Sequence, residues 1–404
     1  LVRRELLTPA QQKSVAKDIA RGIHKSNQRI AQYPVKLFLD SGVFGAWNRG
    51  QTLDIQAYCD FIKRNEPWLS CYAGMDVIPG KFGQARTMKQ VEESAAQSAT
   101  NQTFMRKQGL SPIPIFHQGE SFQWLEKMLA DDEPYIGIST AKDLTQREHA
   151  MWLDHVFSLI TDQAGNPFVR THGFGITTIP LLLRYPWYTC DSTTWSLAAG
   201  FGLIYVPGLR GGKPDYTQVP MRIIMSGRTQ IAWSSARRQY ENLGPFEKLH
   251  VDSYLEYLGL SIEQVRYQSS ARRAACLRYF IDFHEHFKVQ PFKHRQGAQH
   301  GKFITGARKA PPLWDHMSIV FATMMANGQF SQIMNAAKAR NRLVSYYELL
   351  GKPDEPLRHY VEHGITDLNY QRRKPAPIWN DTYTSTRRMS LLKRIKDYRN
   401  ADAT

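Results

Sequence analysis

Residues 35–44 read Val-Lys-Leu-Phe-Leu-Asp-Ser-Gly-Val-Phe. Five mainly apolar residues, 35–39, run straight into a carboxylate and then Ser-Gly. This is the pattern of a short buried strand that ends in polar residues and turns toward a helix. Upstream, Thr8-Pro9 pairs an N-cap with a proline at the first helical position, and Val15, Ile19 and Ile23 line one helical stripe. Downstream the unit repeats. A helix carrying Leu53, Tyr58, Phe61 and Ile62 leads to a strand at 69–75 that ends in Asp76. A helix over 91–105 leads to a strand at 113–116, followed by His117-Gln118-Gly119-Glu120. Phe122, Leu125 and Leu129 mark the helix before a strand at 135–138, and Trp152, Val156 and Ile160 the helix before a strand at 171–176. A short helical segment, 179–183, precedes a strand at 188–190. A last strand, 203–206, stands before a Gly/Pro-rich break at 207–214.

Strands separated by helices imply parallel pairing, and about seven such units in roughly 200 residues favour a closed barrel over a doubly wound sheet. The expected fold is α/β, a (β/α)8 TIM-type barrel with a helical, basic C-terminal extension. The eighth strand is expected either before Leu1 or within 221–225. No G-x-G-x-x-G follows a strand, which weakens a dinucleotide site. From about residue 228 the pattern changes to long helices, at 252–267, 269–286 and about 314–350. The expected division is therefore a catalytic barrel region, 1–227, and a helical region, 228–404, suited to nucleic acid.

Lys plus Arg total 52 against 36 Asp plus Glu, a formal charge of +16 with a pI near 9.6. Such an excess suits a polyanionic partner through phosphate neutralisation, against the plainer reading of a solvated basic surface. Residues 371–404 hold nine Lys or Arg and three Asp. Arg372, Arg373 and Lys374 are the expected nucleic-acid contacts there, and the pairs Arg237-Arg238, Arg272-Arg273 and Arg387-Arg388 also suit phosphate. The four cysteines, Cys59, Cys71, Cys190 and Cys276, lie far apart with no C-x-x-C, which fits a reducing, cytoplasmic setting. No apolar stretch is long enough to span a bilayer and no leader is visible, so no membrane partner is expected. His284, His286, His294, His300 and Cys276 are of metal-ligating type. His284 and His286, however, diverge around a helix, so no metal is expected there.

The polar residues of interest stand at strand ends, which line the catalytic face of a barrel: Asp40-Ser41-Gly42, Asp76, Gln118-Gly119, Ser139, His172-Gly173 and Asp191. Each alone could simply cap the helix that follows; six together suggest a site. These segments resemble a family. Leu39-Asp40-Ser41-Gly42-Val43-Phe44 resembles the D-S-G-G-[FY]-Q segment of tRNA-guanine transglycosylases, and Met75-Asp76-Val77 the aspartate-bearing strand end after it. Phe116-His117-Gln118-Gly119 is similar to V-Q-G, residues 135–139 to the next glycine-rich strand, His172-Gly173-Phe174-Gly175 to M-G-V-G, and Tyr188-Thr189-Cys190-Asp191-Ser192 to the nucleophile segment. All six occur in family order.

The chain lacks the C-x-C-x-x-C…H zinc site of the tRNA enzymes. It has Thr193-Thr194-Trp195 in place of their P-T-R, and looks most like the DNA-guanine transglycosylases of phage and bacterial DNA modification. The resemblance implies exchange of guanine in DNA for a free 7-deazaguanine such as 7-cyano-7-deazaguanine, inside a bacterial cytoplasm, with no cofactor. It implies Asp191 as nucleophile and Asp40 as proton shuttle. Asp76 would hold the guanine edge, Gln118, Gly119, Gly137, Gly173 and Ser139 would surround the base, and Phe44 and His172 would sandwich it. A tRNA substrate is the second reading. A glycoside or nucleoside hydrolase and a non-catalytic basic nucleic-acid-binding protein are the readings from other classes.

Overall fold

A computed structural model describes residues 36–66, 69–80, 84, 86–141, 144–227, 238–294, 310–323 and 341–345. The first described strand is β1 (Lys36–Asp40), followed by α1 (Val43–Asn48) and α2 (Ile55–Asn65). The Asp54 carboxylate accepts from the Gln56 and Ala57 N–H groups and so starts α2, whose Tyr58, Phe61 and Ile62 face the core. Then come β2 (Leu69–Tyr72), α3 (Met88–Lys107), β3 (Ile115–His117), α4 (Phe122–Ala130), β4 (Tyr135–Ser139), α5 (Gln146–Ile160), β5 (Arg170–Phe174), α6 (Ile179–Arg184) and β6 (Thr189–Ser192). Reciprocal capping boxes, Thr87 with Gln90 and Thr145 with Glu148, fix the starts of α3 and α5. The apolar stripe of α5, with Leu153, Val156, Phe157 and Ile160, packs into one buried cluster with Phe116, Ile136, Ile138, Trp187 and Cys190. Each amphipathic helix thus covers the strands it connects, as parallel pairing requires.

The alternation expected through residue 192 holds; its continuation does not. After α7 (Thr194–Gly200), β7 (Leu203–Val206) leaves the main sheet. Beyond the small hairpin of β8 (Gly208–Arg210) and β9 (Lys213–Asp215), it pairs antiparallel with β10 (Met221–Ile224). Neither segment supplies a strand of the main sheet. Helices α8 (Pro245–Tyr257), α9 (Ile262–Tyr267) and α10 (Ser269–His286) follow, and α10 packs on α7 and β7. The region expected to be helical from about 314 instead contains β11 (Ser318–Thr323) and β12 (Asn341–Ser345). Both insert in the main sheet, β11 beside β6 and β12 beside β1. The extension therefore supplies two strands of the sheet that carries the site. The expectations for residues before 36, and for Arg372, Arg373 and Lys374, lie outside the described residues.

The resulting sheet has eight parallel strands in the order β2-β1-β12-β11-β6-β5-β4-β3. It is strongly curled. β1 and β5 stand four places apart in that order, about 19 Å in a flat sheet at the usual spacing. Yet the Phe38 ring of β1 stacks on the His172 ring of β5 with centroids 4.4 Å apart. The two outer strands also approach each other. Ala73, just past β2, bridges Ile113, just before β3; Ile113 N–H donates to Tyr72 O (2.9 Å) and Gly74 N–H to Ile113 O (2.8 Å). Curling brings the strand ends of β1, β2, β3, β5 and β6 to one place. Among the described residues no helix is long and apolar enough to cross a membrane.

Candidate active site

Asp40 is the last residue of β1. The chain turns there on Gly42, whose φ of 76° lies in the left-handed region that glycine adopts without steric cost. The turn aims the Ser41 and Gly42 N–H groups at the Asp40 carboxylate, which would by themselves hold its pKa down. They are outweighed. Burial first, then the negative charges of Asp191 and of Asp76, raise the Asp40 pKa to about 7. Three carboxyl groups from β1, β6 and the segment after β2 therefore share one electrostatic environment, and one of them is poised between its charged and neutral forms near neutral pH.

Asp191 is buried, with 6% of its surface exposed, on β6 between β5 and β11. Its Oδ1 accepts from the Gly175 N–H at 2.8 Å and lies 3.3 Å from His172 Nε2. The turn after β5 therefore holds this oxygen by a hydrogen bond, with the β5 imidazole beside it. Asp76 is gripped from two sides: His117 Nε2 lies 3.0 Å from its Oδ2, and the Ser41 hydroxyl donates weakly to Oδ1 at 3.4 Å. Burial works against a charged His117, but its hydrogen bond to Asp76 and the carboxylates of Asp76 and Glu120 prevail, and its pKa is raised. Glu120 also accepts from the His117 backbone N–H at 3.0 Å, so the imidazole sits between two acidic groups. Burial lifts the Glu120 pKa, against the opposing pull of His117.

The other expected site residues divide. Ser139 ends β4, half-buried, and its carbonyl accepts from the Gln118 N–H at 2.9 Å. Phe44 lies half-buried on α1, next to the Asp40 turn. Gly119 is exposed in the turn after β3. Gly137 and Gly173 lie buried within β4 and β5. Gly137 is small for packing reasons, since a Cβ there would meet the Phe174 ring at 2.5 Å. The Gln118 side chain turns away toward α5, where its Oε1 lies 2.8 Å from His149 Nδ1 and accepts from the Ala141 N–H at 3.2 Å. His172 is the clearest correction. It is 0% exposed, stacked by Phe38 and met edge-on by Phe174 at 4.3 Å, so its ring faces are occupied and cannot sandwich a base. It is a partner of Asp191 instead.

The sequence reading missed His117, the Gly175 N–H, Thr189 and Tyr135. The signal for His117 was available, because it is the last residue of β3 and stands at a strand end as the three aspartates do. Of the arginine pairs, Arg272 is buried and donates to the carbonyls of Ala199 (2.9 Å) and Val265 (2.8 Å), so it ties α10 to the ends of α7 and α9 and does not face phosphate. His284, His286 and His294 each turn a ring nitrogen to a backbone carbonyl, of Met317, Asp282 and Asp162 in turn. Among the described residues no group of three or more His, Cys, Asp or Glu is arranged to hold a metal.

No protein-family model, no curated protein and no solved structure matches this chain.

Proposed function

We propose that this chain is a DNA-guanine transglycosylase that exchanges guanine for a 7-deazaguanine by double displacement. The observation that carries the reading is the convergence of Asp40, Asp76 and Asp191, with Asp40 raised to about 7 by burial and by the other two charges. Replacing a base at C1′ without losing the sugar to water calls for a nucleophile that holds the sugar and a group that moves one proton. Asp191 attacks C1′ as the C1′–N9 bond breaks, and protonated Asp40 gives its proton to the departing guanine. In the second half the incoming base forms the new glycosidic bond, its ring N–H proton goes to the Asp40 carboxylate, and the C1′–Asp191 ester breaks. Two inversions retain configuration. A carboxyl group near pKa 7 serves both directions, because neither its acid nor its base form is scarce at neutral pH.

Asp76, held by His117 and Ser41, keeps acceptor capacity for the N1–H and 2-amino group of a guanine edge. The scaffold we propose is a (β/α)8-type barrel, supported by the eight parallel strands, their curl and the Ala73–Ile113 bridge between the outer two. The net charge of +16 favours a nucleic-acid substrate. The absent zinc motif favours DNA over tRNA. A target base in a duplex must leave the stack to reach buried Asp191.

Incubating the protein with guanine-containing DNA, with tRNA and with labelled 7-cyano-7-deazaguanine tests the substrate. The label is expected in DNA at a rate well above any entry into tRNA. Label in tRNA alone would establish the tRNA reading, and guanine release over many turnovers with no added base would establish a hydrolase. Base recognition has its own test: Asp76→Ala is expected to weaken binding of the free deazaguanine by about 1–3 kcal/mol, since the donors of the base lose a charged partner. Titration calorimetry measures this, and unchanged affinity counts against the role given to Asp76.

A further inference from the structure

The partners of Asp191 continue inward as one chain of polar contacts. His172 Nε2 lies 3.3 Å from Asp191 Oδ1, His172 Nδ1 lies 2.5 Å from the Thr189 hydroxyl, and that hydroxyl is in turn in hydrogen-bond contact with the Tyr135 phenol. Thr189 and Asp191 are two apart on β6 and project to the same face of the sheet, while His172 is the register partner of Thr189 on β5. The proton positions follow from what each group can do. A carboxylate only accepts, so the imidazole proton is on Nε2. Nδ1 of the neutral ring is then an acceptor and takes the single proton of Thr189, whose oxygen is left to accept from Tyr135.

We infer that Tyr135, Thr189 and His172 form a buried relay that positions the nucleophile by locking the Nε2–H tautomer of His172 against Asp191. The inference rests on the transglycosylase reading. None of the three touches substrate in this role; they act through Asp191. With Oδ1 occupied by His172 and by the Gly175 N–H, Oδ2 is the oxygen that attacks C1′. Phe38 and Phe174 hold the imidazole plane, so the one freedom left to it is which nitrogen carries the proton. Removing the Thr189 hydroxyl releases that freedom. The Nδ1–H form would turn a lone pair toward the carboxylate and displace it.

The test compares Thr189→Val, which keeps the shape and removes the hydroxyl, with Thr189→Ser, which restores the hydroxyl, and with Tyr135→Phe. Adduct formation between enzyme and DNA in a single turnover is expected to slow about 10- to 100-fold in Thr189→Val, the scale of a misplaced reacting group, with KM for the free base changed less than about twofold. Thr189→Ser is expected to recover most of the rate, and Tyr135→Phe to lose less than Thr189→Val. Nitrogen NMR of histidine-labelled protein reads the relay without any reaction: His172 in the wild type is expected to carry its proton on Nε2, and Thr189→Val to show a mixture of the two tautomers. An active wild type matched by Thr189→Val, or a wild-type His172 protonated on Nδ1, overturns the relay and leaves the transglycosylase reading standing. A wild type that forms no adduct and exchanges no base overturns that reading, and with it the role given to the relay.

Discussion

Asp191→Ala is expected to abolish base exchange, lowering the rate by at least about 10⁴-fold, the scale on which loss of a nucleophile is felt when binding and electrostatic groups remain. The loss should be in chemistry and not in substrate affinity, because Asp191 contributes one carboxylate to a surface otherwise set by the rest of the fold. The protein should remain folded. Asp191 contacts the Gly175 N–H and His172 at a strand end and carries none of the aromatic packing that builds the core. Gel-shift affinity for guanine-containing DNA, measured beside single-turnover exchange, separates the two effects. Exchange within tenfold of wild type would remove Asp191 from the mechanism.

The second large effect is at Asp40 and has two faces. Asp40→Asn preserves size and hydrogen-bonding capacity but cannot carry a proton, so turnover is expected to fall by about 10² to 10⁴. In the wild type the step that needs protonated Asp40 should decline as pH rises through about 7, and that limb should be missing from the residual activity of the variant. Stability should fall over the same range of pH. Below about pH 4 the carboxyl is protonated in both folded and unfolded chains. Between about 4 and 7 the unfolded chain has released the proton and the folded protein still holds it, so this contribution to stability falls as pH rises and is lost above the folded pKa. The cost of the buried charge at pH 8 is on the order of 2–4 kcal/mol. Asp40→Asn should therefore match wild type near pH 4 and be the more stable protein at pH 8. Denaturant midpoints at the two pH values measure it. A variant less stable than wild type at pH 8 would mean that burial and its two acidic neighbours do not burden Asp40.

Much of the architecture was legible because local pattern and tertiary role agree over residues 36–192. There β1, β3 and β4 are short apolar runs with a polar end, and α2, α4 and α5 each carry one apolar stripe. The pattern misleads where several structures fit it equally. Within Ser318–Thr323, residues 319–322 form a short continuous apolar run, which a buried parallel strand and a buried helix produce alike. Asn341–Ser345 is too short for its period to speak. β7 was recognised as a strand, but periodicity does not say which strand it pairs with, and its antiparallel partnership with β10 is a tertiary choice.

The site divides in the same way. Asp40, Asp76 and Asp191 could be found because a carboxylate at the end of a buried strand is conspicuous in one dimension. The family resemblance offers His172 as a ring available to a base. Its side chain points into the sheet, where Phe38 from a strand four places away covers it, and only the curl brings the two together. The partnerships of His117 with Asp76 and of Thr189 with His172 also depend on which strands are neighbours and in what register. No spacing along the chain carries that information.

The central claim is that Asp191 holds the sugar covalently between the departure of one base and the arrival of the next. Its most direct test is to mix the protein with guanine-containing DNA, omit the incoming base, denature, digest both polymers, and map any deoxyribose-linked peptide by mass spectrometry. The expected result is a deoxyribose ester on the peptide that carries Asp191, discharged when 7-cyano-7-deazaguanine is added before denaturation and absent from Asp191→Ala. An adduct mapped to another residue, or base exchange that proceeds with no adduct at all, would contradict it.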